Sequence, residues 1–187
     1  MASLQQTLFS ETRPLHQRIE DNPFMHAIIN NESLDEPYRW LLGNLALFSR
    51  SGEKKLLSVL GDSYGFEMSQ RCRIHLLQDD LMDLGITLEP TDTEYFEDFD
   101  TLGKAIGLLY VLEGSRKGGA FLSALLEKKA PHLPMRYLKG YGENTEMQWI
   151  NFIDLLEQHN NEPIRQEIVT GAVRAFEILE EIFHDTE

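Results

Sequence analysis

A long apolar helix with glycines set through it constrains this chain more than any other feature. Leu102 to Leu126 is rich in helix formers, with Leu, Ala and Glu on both sides of Gly114, Gly118 and Gly119. Each interior glycine costs a helix about 1 kcal/mol relative to alanine. The missing side chains therefore answer either to a backbone that approaches closely or to a ligand lying against the helix. Gly103 and Gly107 stand four apart, as do Gly114 and Gly118, so each pair shares a face on which a neighbouring helix can pack tightly. Gly118 and Gly119 together loosen the backbone more than packing requires. A kink there predicts a flat surface without side chains, suited to a flat ligand.

Helical periodicity dominates the rest of the chain, and no run alternates as a strand would. Helices are predicted from about Leu4 to Asp21, with Pro14 kinking or restarting the first, and from Pro23. Others are expected from about Asp35 to Leu60, Glu67 to Leu84, Thr101 to Lys129, Glu143 to His159 and Glu162 to His184. Pro131, Pro134, Gly140 and Gly142 mark a connection with one short helical turn. The expectation is one all-α domain over residues 1–187, with roughly seven to nine helices.

A net charge of -14 argues against nucleic acid and anionic membranes as main partners. Ile74 to Gly103 holds acids and no Lys or Arg, whereas Arg116, Lys117, Lys128, Lys129, Arg136 and Lys139 surround the single acid Glu127. Two solvated faces of opposite sign account for this pattern, and so does a basic island that receives an anionic ligand or acidic partner. Cys72 stands alone, which excludes an internal disulfide and a cysteine-ligated metal. The start, Met1 to Thr7, lacks a basic and then apolar stretch, so no signal peptide is expected and the cytoplasm is the simplest location. No apolar run near the glycines is long enough to span a bilayer.

No two of the histidines have the i, i+4 spacing of a zinc helix. His16 differs from the others because Leu8, Leu15 and Ile19 lie on its side of the first helix, directing the ring toward the interior or its edge. Glu20, one turn on, can accept the Nδ1 proton and leave Nε2 free as a ligand; a surface His–Glu pair is the plain alternative. Cys72 sits between Arg71 and Arg73, bases that can favour a thiolate, although a half-buried helix cysteine fits as well. Asp79 and Asp80 read as solvated acids. Tyr110 lies one turn before Gly114 and either presents its phenol to a ligand or satisfies a core hydrogen bond. Trp40, Trp149, Phe152 and Phe176 read as packing.

Taken in order, these residues resemble a family. Thr12-Arg13-Pro14-Leu15-His16 with Glu20, then Tyr110-Val111-Leu112-Glu113-Gly114-Ser115 and Gly118-Gly119, are similar to the bacterial heme oxygenases. The likeness continues through Asn22-Pro23-Phe24, Arg73 to Gly85, Lys139-Gly140-Tyr141 with Trp149 and Phe152, and Gly171-Ala172 with Phe176. The resemblance implies a helical fold that sandwiches heme between a proximal helix bearing His16 and a kinked distal helix at Gly114 to Gly119. It makes His16 the axial iron ligand and Glu20 its orienter. The distal backbone, with Ser115 and with waters held by Arg73, then directs oxygen to one meso carbon, giving biliverdin, carbon monoxide and ferrous iron. Tyr110, Lys128 and Arg174 are candidate propionate partners by placement, and Lys117 either binds a propionate or reaches solvent. Electrons come from a separate reductase or ferredoxin, and the implied role is either release of heme iron or supply of a bacteriophytochrome or other bilin acceptor. Ser115 stands where mammalian members carry an aspartate, and Lys117 where an apolar or amide residue is usual.

Three other readings fit the residues. One is a heme- or bilin-binding protein of the same fold without turnover. Another is a thiaminase-like helical enzyme using Cys72, and the third is a helical interaction module.

Overall fold

The computed structural model describes residues 3–30, 34–88 and 94–184. The helices are α1 (Leu4–Glu20), α2 (Pro23–Asn30), α3 (Asp35–Val59), α4 (Met68–Arg71), α5 (Ile74–Asp83), α6 (Leu102–Leu126), α7 (Thr145–Gln158) and α8 (Ile164–His184). A single 3-10 turn, Gly142–Asn144, precedes α7. Among the described residues there is no strand, and none of the helices is long and apolar enough to cross a membrane.

Helix α1 starts on a capping box. Ser3 Oγ accepts the Gln6 amide at 3.1 Å while Gln6 Oε1 accepts the Ser3 amide at 3.1 Å. The helix then runs unbroken past Pro14. Ser10 and Pro14 are both on the exposed side, so the carbonyl that Pro14 leaves unbonded faces solvent, while Leu4, Leu8, Thr12, Leu15 and Ile19 anchor the buried stripe.

The helix expected from Glu67 to Leu84 is two helices. Glu53, a buried carboxylate on α3, accepts the Arg73 amide at 2.9 Å and the Ile74 amide at 3.0 Å. It caps α5 from another helix, and the chain turns extended at Cys72 to reach it. Asp80, expected to be solvated, is 0% exposed. It accepts the amides of Arg136 and Tyr137 and the Arg136 guanidinium, and so pins the turn-rich connection between α6 and α7.

The centre of the molecule is α6 against α8, and glycine sets the spacing. A Cβ on Gly107 would lie 2.4 Å from the Ile168 carbonyl oxygen and 2.5 Å from the Ala172 nitrogen. On the facing helix, a Cβ on Gly171 would lie 2.5 Å from the Lys104 carbonyl oxygen. Gly103 likewise abuts Glu167 and Ile164. Helical hydrogen bonding continues without interruption from Leu102 to Leu126, so the expected loosening at Gly118 and Gly119 does not break the helix.

Candidate functional site

Three helices run parallel. Helix α1 meets α8 through Thr7 and Arg165, then His16 and Phe176, then Arg18 and Glu180, with both numbers rising together. Helix α6 meets α8 at Gly103 with Ile164 and Glu167, then at Gly107 with Ile168 and Ala172, again in rising order. Helices α1 and α6 therefore share a direction. They come together at the buried Thr12 and Tyr110, whose hydroxyls lie close enough to influence one another, while Thr12 Oγ1 donates to the Leu8 carbonyl at 2.7 Å. Burial pushes the Tyr110 pKa up, with Thr12 opposing, so the phenol stays neutral.

One turn beyond this floor stand His16 on α1 and Gly114 on α6, each only about 40° around its helix from the contact below. A further turn brings Gly118. Exposure rises along the same path, from 4% at Thr12 and 8% at Tyr110 to an exposed His16 side chain, half-buried Gly114 and exposed Gly118. The gap between the helices thus closes at Thr12–Tyr110 and opens at His16–Gly118.

The cleft walls differ in chemistry. His16 Nδ1 lies 3.5 Å from Glu20 Oε1, and its ring meets the edge of Phe176 at a centroid distance of 6.0 Å. With Nδ1 engaged, Nε2 on the far side of the ring is left for a ligand. The imidazole sits at the edge of the fold rather than inside it. Opposite, a Cβ on Gly118 would meet nothing within 4 Å, and one on Gly114 would only touch the Trp149 ring at 4.0 Å. These two glycines have no packing reason to lack a side chain. Gly119 does have one: its Cβ would sit 3.1 Å from the Leu138 carbonyl oxygen, so this glycine admits the α6–α7 connection and is turned away from the cleft.

A sequence model of the heme oxygenase family matches residues 2–185. The chain belongs to the heme oxygenase family. It is 27% identical over 135 residues to a heme oxygenase of Xanthomonas campestris pv. campestris, covering 71% of this chain and 77% of the relative. Its fold is similar to that of the Neisseria meningitidis heme oxygenase solved with NO and CO bound. There the TM-score is 0.76 at 22% identity, with 100% of this chain and 92% of that one covered. The Leptospira interrogans heme oxygenase gives a TM-score of 0.79 at 18% identity, covering 98% of this chain and 100% of that one. The protein is accordingly an enzyme that degrades heme to biliverdin, with heme as both substrate and prosthetic group.

For a heme oxygenase, the cleft offers what a planar iron porphyrin requires. A half-oriented imidazole stands on one side and a helix face stripped of side chains at Gly114 and Gly118 on the other. Trp149 and Phe176, which the spacing assigned to packing, flank the two walls.

The other expected site residues go elsewhere. Ser115 Oγ donates back to the Leu112 carbonyl at 2.9 Å, bonding within its own helix. Lys117 pairs with Glu146 at 3.0 Å and sits over the Trp149 ring at 5.5 Å. Arg174 pairs with Glu177 and Glu181, and stands about 200° around α8 from Phe176. Lys128 lies past the end of α6, which itself runs about 12 Å along the axis beyond Gly118. Arg73 stacks on the Tyr141 ring at 4.5 Å, on the far side of α6 from the cleft.

The basic island is mostly internal bookkeeping of charge rather than an anion site. Arg116 is 1% exposed, Lys139 pairs with Glu127, and Arg136 with Asp80 and Asp83. Cys72 is no thiolate, since burial, reinforced by Glu53, pushes its pKa up to about 11.

Spacing missed the buried charges behind α6. Arg116 donates to Glu113 Oε1 at 2.6 Å and to Glu53 Oε1 at 3.0 Å. Glu113 Oε1 also accepts from Arg71 at 2.9 Å and from the Tyr141 hydroxyl at 2.9 Å. The i, i+3 spacing of Glu113 and Arg116 was the one local signal for it.

Proposed function

We propose that this heme oxygenase holds its heme between His16 and the Gly114–Gly118 face, with His16 Nε2 as the axial ligand. The observation that carries this reading is the pair of glycines with open space before them, one and two turns above the Thr12–Tyr110 floor and level with His16. Heme bound there supplies the iron at which O2 is activated and the ring that opens to biliverdin, with release of carbon monoxide and ferrous iron.

The protein's own part is geometric. Glu20 accepts the Nδ1 proton, fixing the imidazole tautomer and raising the basicity of Nε2. Gly114 and Gly118 let main chain lie where any other residue would place a methyl group, and this limits the directions open to a small molecule on the distal side. Trp149 and Phe176 keep water off the two edges of the slot. Tyr110, neutral and buried, closes its inner end.

Electrons are supplied by a separate protein, a reductase or a ferredoxin. The reaction serves either release of heme iron or supply of a bilin acceptor, and the cytoplasm is its location. Lys117 is the best-placed cation for a propionate, one residue from Gly118, if it releases Glu146.

Hemin titration of the purified chain tests the placement. The expected result is a 1:1 complex with the Soret band of a histidine-ligated heme, and biliverdin on addition of reductant and oxygen. His16→Ala should lose that Soret position and regain it with added imidazole. An unchanged spectrum in His16→Ala would remove His16 as the ligand.

A further inference from the structure

Gly114 and Gly118 have no side chains with which to hold their own helix in place. Whatever sets the position of that backbone must act from the other faces of α6. Glu113 and Arg116 bracket Gly114 and Ser115, and both are buried, at 2% and 1% exposure. Arg116 stands about 200° around the helix from Gly114. It reaches Glu53 on α3, and Glu113 reaches Arg71 at the end of α4 and Tyr141 on the connection to α7.

Two cations and two carboxylates balance, and the Tyr141 hydroxyl ties them together by donating to Glu113 at 2.9 Å and accepting from Arg116 at 3.1 Å. Glu53 uses its remaining capacity to cap α5. Burial works against the Arg116 charge, but Glu113, Tyr141, Tyr137 and Glu53 outweigh it and raise its pKa. A buried ion cluster of this kind is a poor source of stability compared with an apolar core of equal volume. What it supplies is direction, since charged hydrogen bonds tolerate little displacement.

We infer that Glu53, Arg116, Glu113 and Tyr141 are positioning residues that clamp the back of α6 and thereby set how far the Gly114–Gly118 backbone projects toward the heme. The inference rests on the placement of heme proposed above. In this scheme the cluster touches neither heme nor oxygen. It acts by fixing the distal wall, and so determines which meso carbon is attacked and how uniformly.

Tyr141→Phe removes one hydroxyl from the clamp and leaves the ring under Arg73, and Arg116→Lys keeps the charge while removing the fork. Amide hydrogen exchange in the heme-free protein gives a readout independent of turnover. Exchange at residues 114–118 should accelerate about tenfold in Tyr141→Phe and further in Arg116→Lys, while α8 exchanges as before. In the heme-loaded proteins the biliverdin isomers should become more mixed, with hemin affinity within a few-fold of the parent. Unchanged exchange at 114–118 together with an unchanged isomer ratio in both variants would overturn the clamp. Exchange that rises equally throughout the chain would also overturn it, reducing the cluster to general stability. If the parent protein failed to bind hemin, the heme placement would fall, while the exchange result would still decide the clamp.

Discussion

Gly118→Ala separates a glycine kept for a ligand from one kept for packing. The added methyl group meets nothing within 4 Å, and Gly118 lies inside α6 with helix on both sides. Helix propensity then favours the variant by about 1 kcal/mol. In a chain of this size that raises Tm by about 2–4 °C. In the proposed placement the same methyl group stands where the porphyrin face lies, and overpacking of that kind costs about 1–3 kcal/mol. Hemin affinity should fall by about tenfold or more as the apoprotein becomes more stable. Gly107→Ala is the opposite control, because its Cβ would be driven to 2.4 Å from the Ile168 carbonyl oxygen. There α6 and α8 must separate, and Tm should drop. Thermal unfolding of the heme-free protein and hemin titration read both quantities. A lowered Tm in Gly118→Ala, or a raised Tm with hemin affinity and biliverdin yield unchanged, would refute the reasoning.

Glu53→Ala leaves Arg116 buried beside one carboxylate fewer and strips the cap from α5, so urea unfolding should show a loss of about 3–5 kcal/mol. Glu180 is held below its ordinary pKa of 4.5 by the hydrogen bond from Arg18. Its contribution to stability is therefore full above that value and lost as pH falls through the lowered one; Glu180→Gln should flatten this acid-side slope in pH-dependent unfolding. With a thiol pKa pushed up to about 11, Cys72 should alkylate slowly at pH 8 and speed up only in strong alkali, as followed by mass spectrometry with iodoacetamide.

Features written locally could be read from the chain, and those written across it could not. His16 and Glu20 are one turn apart, so their pairing follows from helix geometry alone. Gly103 and Gly107 belong to packing, as their spacing suggested, and their partner Gly171 shares the same logic. Gly119 looked functional because it adjoins Gly118. Its reason is the Leu138 carbonyl, on a connection whose path no periodicity announces. The break at Cys72 was hidden for a similar cause, since the cap comes from Glu53, twenty residues earlier in the chain. Asp80 sits in an acidic stretch that reads as solvent-facing, yet two amides and a guanidinium from the α6–α7 connection take it inside. Lys117 and Arg174 stood out by charge, and charge alone does not reveal their ion pairs with Glu146, Glu177 and Glu181.

The contacts of α1 with α8 also bear on how the protein is made. Helix α1 carries His16, yet its supports Arg165, Phe176 and Glu180 lie 158 to 162 residues further along the chain. Helix α1 also touches α2 and α7, but most of the surface it packs on is α8. Contacts of such long sequence separation form late and slowly. In the proposed placement, the slot for heme therefore takes shape only once α1 has docked on α8.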